Sequence, residues 1–96
     1  MSPRAKKPRI CTHAFKGKAF KPAGIPMTEL ECITLLRDEL EALKLCDFED
    51  LTQEEAGRRM GISRGTVQRV LSSARKKVAQ ALSECKALVL EEIICK

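Results

Sequence analysis

The sequence predicts a mainly α-helical fold built on a helix-turn-helix, with a short extended or β segment near the N-terminus and a candidate strand near the C-terminus. Three observations predict this fold. A helix-capping pattern at Thr52 precedes a glycine at position 61, apolar residues recur at helical spacing from Val67 to Cys85, and no acid occurs from Ala56 to Ser83. The 96 residues suffice for one domain with a modest core, which must be aliphatic because Trp and Tyr are absent.

The N-terminal region divides into two parts. Residues 1–10, "MSPRAKKPRI", are rich in Lys, Arg and Pro and predict a flexible basic arm. The single helix-turn-helix domain then occupies residues 11–96, with the helix-turn-helix proper at 52–73. At the start of that domain, "CTHAFKGKAFKPAGIP" alternates weakly and is punctuated by Gly and Pro, so we expect a short strand or extended segment followed by a turn.

The next stretch, "MTELECIT", has two interpretations. Thr28 followed by Glu31 fits a helix-capping box, whereas Ile33 and Leu35 around a polar Thr fit a strand. From about Arg37 the pattern is that of an amphipathic helix ending near Cys46. Its predicted inward residues are Leu36, Leu40, Leu43 and Leu45, and its predicted outward residues are Asp38, Glu39, Glu41 and Lys44.

The helix-turn-helix prediction depends on local signals in "LTQEEAGRRMGISRGTVQRVL". Thr52 with Glu55 forms a capping box for a helix from Gln53 to Met60. Gly61 suits the left-handed conformation that ends such a helix, and Ser63 is a good N-cap for the next one. A small residue is needed four positions before the turn glycine, where two helices cross, and Gly57 stands there. These features together predict a recognition helix held at a fixed angle.

The second helix carries a long apolar stripe whose spacing predicts that it faces the core. Ile62, in the turn, is expected to fill the gap between the two helices. The stripe residues are Val67, Val70, Leu71, Ala74, Val78, Ala81, Leu82 and Cys85. Beyond them, "ALVLEEIICK" is apolar and β-branched, and predicts either a strand or an extension of the helix.

Charge is distributed in blocks. Met1 to Thr28 holds seven bases and no acid, Glu29 to Glu55 holds ten acids and two bases, and Ala56 to Ser83 again holds seven bases and no acid. Such blocks can be ordinary solvated surface, but the second basic block coincides with the predicted recognition helix. We therefore predict double-stranded DNA as the partner, bound in the major groove.

The outer face of the recognition helix supplies the candidate contacts. Arg64, Gln68 and Arg69 are the predicted base-contacting residues, since their donors and acceptors suit base edges. Ser63 and Thr66 are expected nearer phosphates. Arg75, Lys76 and Lys77 follow one to two turns later, where backbone phosphates are the expected partners, although Lys77 has acids of the middle helix as an alternative partner.

The chain resembles a known family. "LTQEEAGRRMGISRGTVQRVLSSARKKV" resembles region four of bacterial sigma factors, and with "FKPAGIP", "DELEALKLCD" and "SARKKVAQAL" it is similar to the prokaryotic domain of unknown function 134 family over about Arg9 to Leu90. The resemblance implies a DNA-binding fold. Our own first hypothesis is a regulator of transcription that acts through this fold. The family commonly has Ala where Gly57 stands, which implies a loss of helix propensity here of about 1 kcal/mol.

The cysteines, and the lack of a catalytic set, bear on other function classes. Five scattered cysteines without a Cys-x-x-Cys pair favour reduced thiols in a cytoplasmic protein, with no disulfide framework, no metal and no cofactor. Cys11 and His13 place a thiol and an imidazole close together, so a thiol-based metal or redox sensor is an alternative. The pair supplies only two ligands, which is too few for a complete metal site. No convergent catalytic set is visible, so we expect no enzyme activity. No apolar run is long enough for a membrane span.

Protein partners form a further alternative. A module of a transcription complex would bind RNA polymerase or another regulator through its acidic middle segment. Helix-turn-helix proteins often dimerise to span two half-sites, so we also expect a homodimer. The apolar segment from Ala87 to Cys95 is the predicted dimer contact.

Overall fold

The computed structural model describes residues 19–91. Helices dominate it, and a small sheet is assembled from strands near both ends of this range. Among these residues no helix combines the length and hydropathy needed to cross a bilayer. In chain order the elements are β1 (Ala19–Phe20), a 3-10 turn (Met27–Glu29), β2 (Cys32–Leu35), α1 (Arg37–Ala42), a π-helical segment (Leu43–Phe48), α2 (Gln53–Met60), α3 (Arg64–Glu84) and β3 (Ala87–Leu90). The predicted mainly α fold with short β segments is confirmed; residues 1–10, the predicted arm, lie outside the described range.

The sheet has the strand order β1-β3-β2, so the last strand lies in the centre. β3 runs antiparallel to β1 and parallel to β2, pairing Ala19 with Val89 and Cys32 with Ala87. The strand interpretation of both ambiguous segments is therefore the right one. Ala87 and Val89 pack in a buried cluster with Leu30. Ala87–Leu90, the first part of the predicted dimer contact, pairs with β1 and β2 within the chain; the dimer itself stays a prediction.

α1 begins at Arg37 as predicted, but its buried face differs from the prediction. Glu39 is 5% exposed, whereas Leu36 and Leu40 are about two-fifths exposed, at 41% and 40%. Helical structure continues through the π-helical segment, in which the Glu49 N–H reaches the Lys44 carbonyl. A π-helical turn holds more residues than an α-helical one. A single 3.6-residue period does not fit both segments, and the prediction is wrong at Leu36, Glu39 and Leu40. It is right at the buried Leu45 and at the exposed positions, which are Asp38, Glu41 and Lys44.

α2 and its turn follow the local signals. The Thr52 hydroxyl accepts the Glu55 N–H at 3.1 Å, and the Glu55 carboxylate accepts the Thr52 N–H at 2.9 Å. Gly61 ends the helix with φ 74°, a left-handed conformation that glycine adopts without steric cost. The predicted capping box, helix bounds and helix end are all confirmed.

α3 packs on α1, α2 and the sheet through its apolar stripe. Val67, Leu71, Ala74 and Ala81 are buried, but Leu82 is 77% exposed and Cys85 is exposed. Leu82 lies a helical step of about 100° beyond Ala81, off the packed face. Cys85 adopts φ 55° and ends the helix. The predicted stripe is therefore wrong at these two positions and right in its first four turns.

Of the three described cysteines, one differs from the expectation of reduced thiols. Cys32, in β2, is disulfide-bonded. Cys46 and Cys85 are free thiols, and burial raises the pKa of the Cys46 thiol, with the neighbouring Asp47 charge adding to the effect. Spacing along the sequence does not reveal distance in space, so the scatter of the cysteines could not exclude a disulfide bond.

Candidate nucleic-acid interface

The turn between α2 and α3 fixes the angle of α3. Gly57 lies against the turn so closely that a Cβ on it would stand 2.7 Å from the Ile62 carbonyl oxygen. The Ile62 N–H donates to the Gly57 carbonyl at 3.0 Å, and Ile62 itself packs against the cluster formed by Leu45, Ala56 and Val67. The small residue expected at position 57 and the apolar residue expected at position 62 are thus both in place. Their contacts fix the start of α3 relative to α2.

One face of α3 is exposed along its first four turns and carries no acid. Residues three, four and seven apart share a helix face, which places Gln68 and Arg75 in the same direction. Seven solvent-exposed residues form this face: Arg64, Gly65, Gln68, Arg69, Ser72, Arg75 and Lys76. All the predicted DNA contacts except the part-buried Thr66 and Lys77 and the N-cap Ser63 therefore lie on one surface, which we call the outer face of α3.

Three side chains form a hydrogen-bonded chain at the start of α3. The Ser63 hydroxyl caps the helix by accepting the Thr66 N–H at 3.1 Å. An Arg69 Nη2 donates to the Thr66 hydroxyl at 3.3 Å, and the Ser63 and Thr66 hydroxyls lie 2.9 Å apart. This chain orients Arg69 beside the positive end of the helix dipole, where an anion is favoured.

The seven bases of the block from Ala56 to Ser83 fall into two groups. Arg58 pairs with Glu54 at 3.6 Å, Arg75 with Asp47 at 2.6 Å, and Lys77 with Glu39 at 2.8 Å. Within the described range, the other four bases have no carboxylate within ion-pair distance; they are Arg59, Arg64, Arg69 and Lys76. Three of these four lie on α3, and Arg59 lies in the last turn of α2.

Arg75 has a partner that the sequence did not predict. Its Nε donates to one oxygen of Asp47 at 3.0 Å and its Nη2 to the other at 2.6 Å. This hydrogen bonding holds the pKa of Asp47 below its ordinary value and raises that of Arg75. The expected phosphate contact of Arg75 therefore competes with a bidentate ion pair, 28 residues apart in sequence.

A buried carboxylate connects α1 to the middle of α3. Glu39 accepts hydrogen bonds from the Leu36 N–H, the Ser73 hydroxyl and the Lys77 ammonium, at 2.8, 2.6 and 2.8 Å. Lys77 also donates to the Thr34 carbonyl in β2 at 2.8 Å. Burial, the largest influence, raises the pKa of Glu39, but the hydrogen bonds together outweigh it and lower the pKa. The alternative partner predicted for Lys77, an acid of the middle helix, is confirmed.

Two alternatives to DNA binding were a metal or redox site and a protein-binding acidic segment. Cys11 and His13 lie outside the described residues, and residues 19–91 contain no cluster of three or more His, Cys, Asp or Glu side chains that could hold a metal ion. The acidic segment does expose apolar side chains: Leu36, Leu40 and Phe48, the last at 79%.

Comparison with known proteins places the chain in a family. The model of the family described as "Protein of unknown function DUF134" matches residues 1–93. A UPF0251 protein of Halothermothrix orenii is 54% identical over 72 residues, which cover 75% of this chain and 53% of that protein. UPF0251 proteins of Vibrio vulnificus and Shewanella sediminis are 50% and 49% identical over 88 and 90 residues, covering 92% and 94% of this chain and 88% and 94% of theirs. The chain thus spans about half the length of the first relative and most of the other two. No solved protein structure matches it significantly.

Proposed function

The chain belongs to the DUF134 family of proteins of unknown function, and from its helix-turn-helix we propose that it binds double-stranded DNA with sequence preference. In this proposal α3 enters the major groove with its first turns foremost. The protein acts in the cytoplasm of a prokaryotic cell as a regulator of transcription. It needs no cofactor for this activity.

The outer face of α3 is the observation that carries the proposal. It presents Arg64, Gln68 and Arg69 at the braced end of the helix, without any acid to repel a phosphate. Arg and Gln make bidentate contacts with guanine and adenine edges in the major groove.

In this proposal, the affinity for DNA of any sequence comes from the four bases of the block that have no carboxylate partner. Each phosphate contact releases counterions and contributes about −0.9 to the slope of log K against log salt. If Arg59, Arg64, Arg69 and Lys76 all meet phosphates or lie in the groove, the slope from the described residues is about −3 to −4. Ser63 and Thr66 add hydroxyl groups beside the helix N-terminus, where a phosphate oxygen is favoured.

Selection from a random duplex pool tests the base contacts. Arg69→Ala and Gln68→Ala should relax the preferred sequence and weaken binding to the selected site by about 1–3 kcal/mol each. Matched controls are Lys44→Ala, an exposed base on the π-helical segment, and Gln80→Ala, an exposed amide later on α3. Unchanged site preference and affinity in Arg69→Ala and Gln68→Ala would remove α3 from the reading surface.

A second candidate function is supported by the exposed apolar side chains on the acidic segment. Leu36, Leu40 and Phe48 lie among the acids of α1 and the π-helical segment, a composition suited to a basic, apolar protein surface such as RNA polymerase or another regulator. Cross-linking from Phe48 in cell extract would identify such a partner. Phe48→Ser should abolish the cross-linked complex while DNA binding persists.

A further inference from the structure

We propose that Asp47 withholds Arg75 from the DNA backbone and thereby lowers the affinity of this protein for DNA of any sequence. The inference rests on the proposed function and concerns the regulation of the same surface. Among the described residues, the Asp47–Arg75 ion pair is the one that joins the acidic segment to the outer face of α3.

The position of Arg75 places it where a phosphate would be met. It follows Gln68 by seven residues, two helical turns, and so faces the same way about 10 Å further along α3. In a recognition helix whose first turns contact bases, the later turns approach the backbone that borders the groove. The Arg75 side chain is 55% exposed, so solvent and ligands reach it.

Asp47 occupies the edge of the guanidinium that a phosphate would use. Its two oxygens accept from Nε and Nη2 in the side-on geometry that also suits two phosphate oxygens. The segment that carries Asp47 is anchored, because Leu45 is buried against α2 and α3. The backbone that carries Asp47 is therefore fixed beside α3, and its carboxylate competes with a phosphate for Arg75.

The pair also removes a charge from the surface. Joined to Asp47, Arg75 presents no net charge to DNA and releases no counterion unless the pair opens. The other ion-paired bases of the block differ, because Lys77 binds a buried acid and Arg58 lies on α2. On the outer face, Arg75 is the base that a substitution of Asp47, on the π-helical segment, would release from its ion pair.

Salt titrations of four variants test the proposal. Asp47→Asn should bind a random duplex about 3–10-fold more tightly at low salt and steepen the slope of log K against log salt by about 0.9. Between 50 and 200 mM salt, the gain should shrink by about 3–4-fold, as one added phosphate contact requires. The charge-matched control is Asp50→Asn. Asp50 is an exposed acid of the same turn with φ 63°, which Asn tolerates, and its loss should leave the slope unchanged.

The last two variants test whether the tighter duplex binding expected of Asp47→Asn depends on Arg75. In an Arg75→Gln background, Asp47→Asn should behave like Asp50→Asn. A gain that survives without Arg75, a slope equal to that of Asp50→Asn, or weaker binding by Asp47→Asn would each overturn the proposal while wild-type binding stands. If neither wild type nor Asp47→Asn binds duplex at low salt, the proposed function and this inference both fail.

Discussion

Gly57→Ala offers a sharp test of how α2 meets the turn, because two effects of the substitution have opposite signs. In an exposed helix, replacing Gly by Ala stabilises the fold by about 1 kcal/mol. The family resemblance, with Ala common at this position, suggests the same direction. In this structure, however, the new methyl group would stand 2.7 Å from the Ile62 carbonyl oxygen, nearer than real Cβ contacts occur.

The magnitude follows from what can move. The atom in the way belongs to the backbone of the turn, and the Ile62 N–H is itself bonded to the Gly57 carbonyl at 3.0 Å. Val67 Cγ2 would lie at 3.5 Å, in ordinary van der Waals contact, so the clash with the Ile62 carbonyl oxygen is the one that must be relieved. Inserting a methyl group into a packed site costs about 1–3 kcal/mol, and a rigid neighbour favours the upper part of that range. After the propensity gain is subtracted, the free energy of unfolding should fall by about 1–2 kcal/mol.

Urea unfolding followed by circular dichroism measures this change, with Gly65→Ala as the matched control. Gly65 is also in a helix, but a Cβ there would meet nothing within 4 Å, so its substitution should be neutral or stabilising. A loss of 1–2 kcal/mol corresponds to a fall in Tm of roughly 4–16 °C for a domain of this size. If Gly57→Ala raised stability as Gly65→Ala does, the tight contact between α2 and the turn would be refuted.

Two further predictions concern charge. Glu39→Gln should destabilise the protein by about 1.5–3 kcal/mol at neutral pH, because hydrogen bonds to a charged group are weakened. The pKa of Glu39 is lowered on folding, so its contribution is present above the unfolded pKa and lost as pH falls through the folded one; in urea unfolding, wild type and variant should converge only below the folded pKa, with exposed Glu41→Gln as the control. Deleting residues 1–9, which hold Arg4, Lys6, Lys7 and Arg9, should reduce the salt slope of duplex binding by about 2–3, and equal slopes would mean that this segment does not touch the backbone.

The helix-turn-helix could be predicted because its signals are local. Thr52 and Glu55 satisfy each other's backbone across three residues, and Gly61 and Ser63 act within one turn of their own positions. No distant contact is needed to decide these features. The same holds for the exposed positions at the start of α3, where a single helical period applies.

The parts that failed depend on contacts between distant residues or on a change of helical period. A glutamate normally indicates an outward position, but Glu39 is buried because Ser73 and Lys77 of α3 satisfy it. Arg75 resembles any exposed base until Asp47, from another element, is placed beside it. At Gly57 the sequence correctly indicated that a small residue is needed. Whether Ala would also fit depends on the distance from Gly57 to the Ile62 carbonyl oxygen, which is set by the tertiary packing.

The central position of β3 has a consequence for the protein while it is being made. Within residues 19–91, β1 and β2 are not neighbours and each pairs only with β3, so Cys32 has no strand partner there until Ala87 has been synthesised. On the ribosome the helix-turn-helix can fold from nearby residues, whereas both strands carry unpaired backbone groups until α3 has been synthesised. Unpaired strands are recognised by other chains and by proteases. A nascent chain interrupted within α3 should therefore be degraded or aggregate, since the sheet closes only when its last strand arrives.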